Sequence, residues 1–229
     1  MILSKRLMAV AEMVTPGKKL ADVGTDHGYI PIYLIANQII PYAVAMDIHK
    51  GPLERACENI EKYNLNYSIK TKLSDGLSAL NEQVEAIVIA GMGGSLMINI
   101  LHEGKDKLSG ISELILSPHS EICQVRQFLH SIGFKIMIEN MVIDEGKFYT
   151  ILKAVPGIEI YSKNIYYIYG KHLLINKNPA LKNYLEKELI KNQKILRHLK
   201  QADSLHARER VDKIMKDIQR GEEALTYYE

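Results

Sequence analysis

The sequence predicts an α/β fold: a mainly parallel seven-stranded sheet that ends in an antiparallel hairpin, with a C-terminal α-helical, coiled-coil-like appendage. Three observations carry this. Short apolar runs alternate with helical segments as far as Ser131, a pattern that implies right-handed crossovers between parallel strands. Beyond Gly133, two longer runs are separated only by Asp144-Glu145-Gly146-Lys147, which reads as a hairpin. From Pro179 onward Leu181, Leu185, Leu189, Ile195 and Leu199 fall near helical spacing, with Lys and Glu between them. The expected domains are 1–157 and 158–229.

The elements follow in order. Ser4 is placed to cap a first helix through about Val14, whose apolar face is Leu3, Leu7, Met8, Ala11 and Val14. Thr15-Pro16-Gly17 ends it. Five parallel strands are expected at Leu20–Val23, Ala43–Met46, Ser68–Leu73, Ala86–Ala90 and Glu113–Ser117. Helices are expected near Pro31–Asn37, Pro52–Tyr63, Gly94–Leu101 and Glu121–Ser131. The hairpin strands are Phe134–Ile143 and Phe148–Val155. A second C-terminal helix over about Leu205–Gln219 carries Val211, Ile214 and Ile218, and Gln201–Ser204 is expected to link the pair as an antiparallel hairpin.

Composition limits the function classes. The 229 residues are 47% hydrophobic and 24% charged, as in an ordinary globular protein. Met1 to Val14 carries Lys5, Arg6 and Glu12 in an amphipathic pattern, unlike a signal peptide. No apolar run approaches the ~18 residues of a membrane span. Cys57 and Cys123 are far apart and have no partner motif, so neither disulfide nor metal chemistry is expected, and a cytoplasmic location fits. Residues 161–229 hold 14 Lys/Arg against 9 Asp/Glu, while residues 1–160 hold 15 against 18. The basic end suggests a polyanion contact, and a merely solvated helix surface is the alternative.

The chemistry sits at the strand ends. Leu20–Pro31, LADVGTDHGYIP, reads as a buried strand running into a glycine turn that opens a helix. In an open α/β sheet a nucleotide-like ligand binds beyond the carboxyl ends of such strands. A dinucleotide fingerprint anchored on Gly24 would need glycines where Asp26 and Tyr29 stand, and no phosphate-binding lysine loop occurs. A carboxylate in the turn repels phosphate and suits S-adenosylmethionine, which has none. Asp47 closes the second strand 23 residues after Gly24, where an acid can accept both ribose hydroxyls. Ser74-Asp75-Gly76 follows the third strand, where a carboxylate can accept from an adenine amino group. Gly91-Met92-Gly93-Gly94 ends the fourth, and glycine lets backbone approach a flat ligand. Enzymes that methylate exocyclic amines resemble one another in carrying Asn/Asp-Pro-Pro-Tyr/Phe here. Its absence favours attack by a ring nitrogen.

These residues resemble the bacterial tRNA (adenine-22-N1)-methyltransferases. The resemblance is carried by Ser4–Leu7 (SKRL), Ala21–Pro31 (ADVGTDHGYIP), Met46–Ile48 (MDI), Ser74–Leu77 (SDGL), Ile89–Gly94 (IAGMGG), Leu114–Ser120 (LILSPHS) with Val125-Arg126, and Asp144–Leu152 (DEGKFYTIL). It covers roughly residues 2–155; the C-terminal part matches only in type. It implies a Rossmann-like methyltransferase core, S-adenosylmethionine as cofactor, tRNA as partner and N1 of an adenine in the D-loop region as acceptor.

Residue by residue, the resemblance implies that Asp22 and Gly24 hold the methionine end of the cofactor, and that Asp26, His27 and Gly28 line the same pocket. Asp47 with Ile48 belongs to the ribose, Ser74, Asp75 and Gly76 to the adenine, and Gly91 and Met92 to the transferred methyl. Asp26 is expected to stabilise the charge left on the methylated base or His27 to relay a proton, with Tyr29 stacking on a flipped adenine. Arg6, His119 and Arg126 are expected on the substrate side. Lys182, Lys191, Lys194 and Arg197 are expected to grip tRNA backbone. A monomer is expected. A small-molecule methyltransferase and a non-enzymatic RNA-binding protein on the same core are the rival readings. The first would not need the basic appendage, and the second would be expected to lose the acids at the strand ends.

Overall fold

The computed structural model describes residues 1–199 and 205–229. The chain divides into two compact units, Met1–Ile160 and Tyr161–Glu229.

The first unit is built on one seven-stranded sheet in the order β3-β2-β1-β4-β5-β7-β6. Its strands are β1 (Leu20–Val23), β2 (Ala43–Asp47), β3 (Ile69–Leu73), β4 (Ala86–Met92), β5 (Glu113–Pro118), β6 (Phe134–Asp144) and β7 (Lys147–Pro156). The first five pair in parallel; β7 runs antiparallel to both β5 and β6. β1 and β5 are buried along their whole length, and so is β4 as far as Ile89. Near-continuous apolar runs are what a parallel sheet covered on both faces requires. Chain order reverses between β1 and β4, so the crevice beyond their carboxyl ends is the topological switch point of the sheet.

The helices are α1 (Lys5–Ala11), α2 (Tyr29–Ala36), α3 (Lys50–Lys62), α4 (Gly94–Glu103) and α5 (Ile122–Ser131), with a 3₁₀ turn at Lys105–Leu108. The Ser4 hydroxyl caps α1 by accepting from the Leu7 amide. α1 ends before the expected Val14, because the Met13 and Val14 amides tighten onto the carbonyls of Val10 and Ala11. α2 begins at Tyr29, two residues before the expected Pro31, with Gly28 as its cap. Proline in a first turn interrupts no helical hydrogen bond, so it marked the helix without marking its start. At the other end of the sheet, Glu113 is 2% exposed and is held by Lys153 (3.0 Å) and by the Thr15 amide (2.8 Å). That network ties the end of α1 to β5 and β7.

In the second unit a π-helical turn at Tyr166–Gly170 and α6 (Lys171–Ile175) precede α7 (Pro179–Leu199) and α8 (Leu205–Leu225). The helical run expected from Pro179 is α7, whereas the π-helical turn and α6 carry no periodic signal of their own in the sequence. Asn178 caps α7 by accepting from the amides of Ala180 and Leu181, both at 3.0 Å. The Tyr228 hydroxyl, just past α8, donates to the Asn178 carbonyl at 3.0 Å, so the start of α7 lies beside the end of α8. The expected link at Gln201–Ser204 lies outside the described residues. Tyr161, Tyr166, Tyr167 and Tyr227 pack ring against ring within this unit. Among the described residues no helix is long and apolar enough to cross a membrane.

Candidate functional site

The β1–α2 turn is shaped by hydrogen bonds and two glycines. The Gly24 and Thr25 amides both donate to the Met46 carbonyl, at 2.8 and 2.9 Å, which folds the turn against β2. Gly24 has φ +79° and Gly28 φ +67°, values at which an L side chain is strained. Gly28 turns the chain into α2, so the helix opens its positive N-terminal end at the crevice. A cavity of about 290 Å³ lies there, lined by Asp22 and the Gly24–Ile30 turn, by Arg6 and Leu7 of α1, and by Gly91 and His119.

Asp22 is 5% exposed, and burial pushes its carboxyl up from the usual range to about 6. The Thr25 side chain pulls it partly back, and the charge of nearby Asp47 adds to the rise. The Thr25 hydroxyl is itself buried and makes no hydrogen bond of full geometry. Asp26 is exposed at the rim of the cavity and is gripped by Arg55 of α3 through Nη2 and through Nε, the latter at 3.2 Å. Its other oxygen lies 3.4 Å from Nε2 of His27. The His27 ring stacks on Tyr29 with centroids 4.8 Å apart and planes 9° from parallel. Asp26, His27 and Tyr29 therefore form one connected wall of the cavity.

The neighbouring strand ends fill in the edge of the crevice. Asp47 accepts from the His49 amide at 2.7 Å, and its carbonyl accepts from the Ser74 amide at 2.8 Å. Ile48 is exposed beside it. Asp75 and Gly76 line a separate smaller cavity with Leu77 and Ile100. The Ser74 hydroxyl is spent on its own loop: it donates to the Gly76 carbonyl at 2.9 Å and accepts from the Ala79 amide at 3.1 Å. Its side chain shapes the turn that presents Asp75.

On the opposite wall β4 bulges at Gly91, which lies between the Ala90–Ser117 and Met92–Pro118 pairs and has φ +82°. A Cβ on Gly91 would stand 3.3 Å from Arg6 Nη1. Arg6 is held there by its amide, which donates to Asp144 at 3.1 Å, and by the Tyr149 ring, 5.3 Å from its guanidinium carbon. His119 is pinned beside β4 by its amide, which donates to the Met92 carbonyl at 2.9 Å, and it meets Tyr149 edge to face at 5.8 Å. Burial and the positive charges of Arg6 and Lys147 hold the His119 ring below the ordinary histidine range.

Arg126 is not on the substrate side, where its motif had suggested it. It is 1% exposed, inside α5, and its Nε donates to Glu139 Oε1 of β6 at 2.7 Å. A side chain enclosed in that pair does not reach RNA; it sat near a substrate-side motif in sequence but points into the core. Lys182, Lys191, Lys194 and Arg197 are all exposed on α7, with Lys182 and Lys191 facing Glu186 and Glu188 on the same helix. Arg55 and Tyr149 are the residues that sequence reasoning missed. Tyr149 lies inside the Asp144–Leu152 motif, which was a signal; Arg55 had none beyond its place on α3.

The residues suit S-adenosylmethionine. The turn offers carboxylates, a buried hydroxyl short of a full hydrogen bond and a helix N-terminus for an ammonium and a carboxylate. Asp47 with exposed Ile48 offers an acceptor and an apolar surface for the nucleoside. Among the described residues no group of three or more His, Cys, Asp and Glu could hold a metal ion. A family profile described as "Methyltransferase domain" matches residues 3–152. The chain is similar to the tRNA (adenine(22)-N(1))-methyltransferase of Bacillus subtilis (strain 168), 35% identical over 206 residues and 87% of each chain. It is also similar to the crystal structure of the B. subtilis M1A22 tRNA methyltransferase TrmK, with TM-score 0.87 and 32% identity over 98% of this chain and 99% of that one. M. capricolum TrmK, solved with S-adenosyl-homocysteine, gives TM-score 0.81 and 29% identity over 96% of this chain and 99% of that one.

Proposed function

The chain belongs to the family of bacterial tRNA (adenine(22)-N(1))-methyltransferases, and on that premise we propose how its own residues carry the reaction. It is an S-adenosylmethionine-dependent enzyme that methylates N1 of adenine 22 of tRNA. The observation that carries the reading is the buried Asp22 beneath a turn whose second acid, Asp26, lines the same cavity at the position where a dinucleotide fingerprint has its second glycine. Asp22, Gly24 and the α2 N-terminus hold the methionine end. Asp47 and Ile48 hold the ribose and one face of the base, the Asp75 carboxylate accepts from the adenine amino group, and a backbone N–H of the Asp75-Gly76 turn donates to a ring nitrogen.

When bound, the cofactor supplies an electrophilic methyl group on a sulfonium, which the lone pair of adenine N1 takes. The protein has no proton to remove beforehand, so positioning is its main contribution. The target base leaves its stack and joins the His27–Tyr29 pair, where Tyr29 is 38% exposed. The Asp26 carboxylate faces the positive charge that the base acquires; Arg55 keeps that carboxylate in place. His27, 3.4 Å from Asp26, is placed to take up a proton if the amino group later sheds one.

The 158–229 segment contributes the RNA grip through Lys182, Lys191, Lys194 and Arg197. We read the enzyme as a monomer in the cytoplasm, the compartment that a tRNA substrate favours. The test is methyl transfer to an unmodified tRNA transcript with adenine at position 22 and to the same transcript with guanine there. Label is expected in the first alone. Equal labelling of both, or transfer only to small molecules, would refute the reading.

A further inference from the structure

Tyr149 belongs to no motif with an assigned role, yet its ring packs against two polar side chains that line the cavity, Arg6 of α1 and His119 just past β5. Its ring lies 5.3 Å from the Arg6 guanidinium carbon and 5.8 Å from the His119 ring, the latter edge to face. The His119 amide is fixed on the Met92 carbonyl at 2.9 Å, so the backbone cannot swing the imidazole away. Tyr149 itself is half-buried on β7, between buried Thr150 and the hairpin tip. An aromatic ring gripping a cation and an imidazole at once fixes two long-reaching side chains at low entropic cost.

Resting on the function just described, we propose that Tyr149 is a positioning residue that holds Arg6 and His119 at the methyl-acceptor position, where the His119 imidazole accepts a hydrogen bond from the exocyclic amino group of the target adenine. The chemistry asks for such an acceptor. As N1 takes the methyl, positive charge spreads through the ring onto the amino nitrogen, and its N–H becomes a stronger donor. A hydrogen bond that strengthens as the reaction proceeds lowers the barrier more than it tightens the ground state. Only a neutral ring can accept. The groups facing His119 are Arg6 from α1, Lys147 and Tyr149 from β7, and across the cavity Asp22, Asp26 and His27. Burial and the two cations lower its affinity for a proton, which favours the neutral, accepting ring.

The test uses the full chain, labelled S-adenosylmethionine and two tRNA transcripts, with adenine or with purine (which lacks the amino group) at position 22. The adenine-to-purine ratio of kcat/KM is compared between the wild type and His119→Ala, so the intrinsic difference in N1 nucleophilicity cancels. The ratio is expected to shrink about tenfold in the variant, the scale of one hydrogen bond to an increasingly charged donor. Tyr149→Ala is expected to shrink it likewise, Tyr149→Phe to restore most of the loss, and cofactor affinity to stay unchanged in all three. Because the ratio is internal to each preparation, a partly unfolded variant still reports it; His119→Gln, which keeps an acceptor, provides a second measure and is expected to retain discrimination. An unchanged ratio in His119→Ala would overturn the proposal while leaving the function intact. Failure of the wild type to methylate the adenine transcript would overturn the function itself.

Discussion

Met92 covers the face of Gly24 on which any other residue would carry its Cβ; a methyl there would overlap the Met92 side-chain end. The first and fourth strand ends, 68 positions apart in the chain, thus interlock at the floor of the crevice. Gly24 also has φ +79°, so the backbone itself demands glycine, and a Cβ there would push the flexible Met92 end aside.

Gly24→Ala is expected to cost about 1–2 kcal/mol of stability from the left-handed backbone alone. Displacement of Met92 should add a loss of cofactor affinity of about tenfold or more. Thermal denaturation and calorimetric titration with S-adenosylmethionine measure the two effects separately. An alanine variant with wild-type affinity would show that Met92 and Gly24 do not shape the pocket.

Asp22 trades stability for binding. Its carboxyl is pushed up to about 6 by burial, above its unfolded value near 4. Burial therefore costs nothing below about pH 4, and the cost is complete above about pH 6, at a scale on the order of 3 kcal/mol. Asp22→Asn should equal or exceed the wild type in stability at pH 7, with its advantage vanishing toward pH 4. The same variant should bind the cationic cofactor more weakly. Wild-type affinity should fall below pH 6 as the carboxylate is protonated, a dependence the variant loses. Denaturant titrations and binding isotherms from pH 4 to 8 check both.

The Arg126–Glu139 pair is enclosed, with the two side chains 1% and 0% exposed. Arg126→Ala removes the cation paired with a buried carboxylate and should cost about 3–5 kcal/mol. A double change, Arg126→Met with Glu139→Leu, should recover most of that. Neither should alter the salt dependence of tRNA binding, which would distinguish a core residue from an RNA contact.

Much of this was legible in the sequence because parallel strands buried on both faces are short, apolar and bounded by glycine. Leu20–Val23 was read to the residue for that reason. Boundaries slipped where local hydrogen bonding chose between helix and 3₁₀ turn, as after Ala11, and where Pro31 sat inside a first turn. The acids at the strand ends were visible as a pattern, since Asp22, Asp47 and Asp75 each lie at or within two residues of a strand's carboxyl end. Side-chain direction was not: Arg126 and Ser74 stand in motifs that pointed to the crevice, yet one is sealed in the core and the other staples its own loop. Arg55 and Tyr149 reach the site from elements distant in sequence, and only the folded chain brings them there.

Lys182, Lys191, Lys194 and Arg197 stand exposed on α7. Lys194→Ala with Arg197→Ala should weaken tRNA binding and lower the slope of log Kd against log salt by about 1–2, from the loss of up to two phosphate contacts. Cofactor affinity should not move. Filter binding across a salt series checks this, and an unchanged slope would assign the RNA grip to other residues.

The most direct measurement is nucleoside analysis of an unmodified tRNA transcript after incubation with the protein and labelled S-adenosylmethionine. The expected result is label in 1-methyladenosine, located at position 22 by the block it places on reverse transcription and diminished by Asp26→Asn. Label in N6-methyladenosine, or none in the tRNA, would contradict the account.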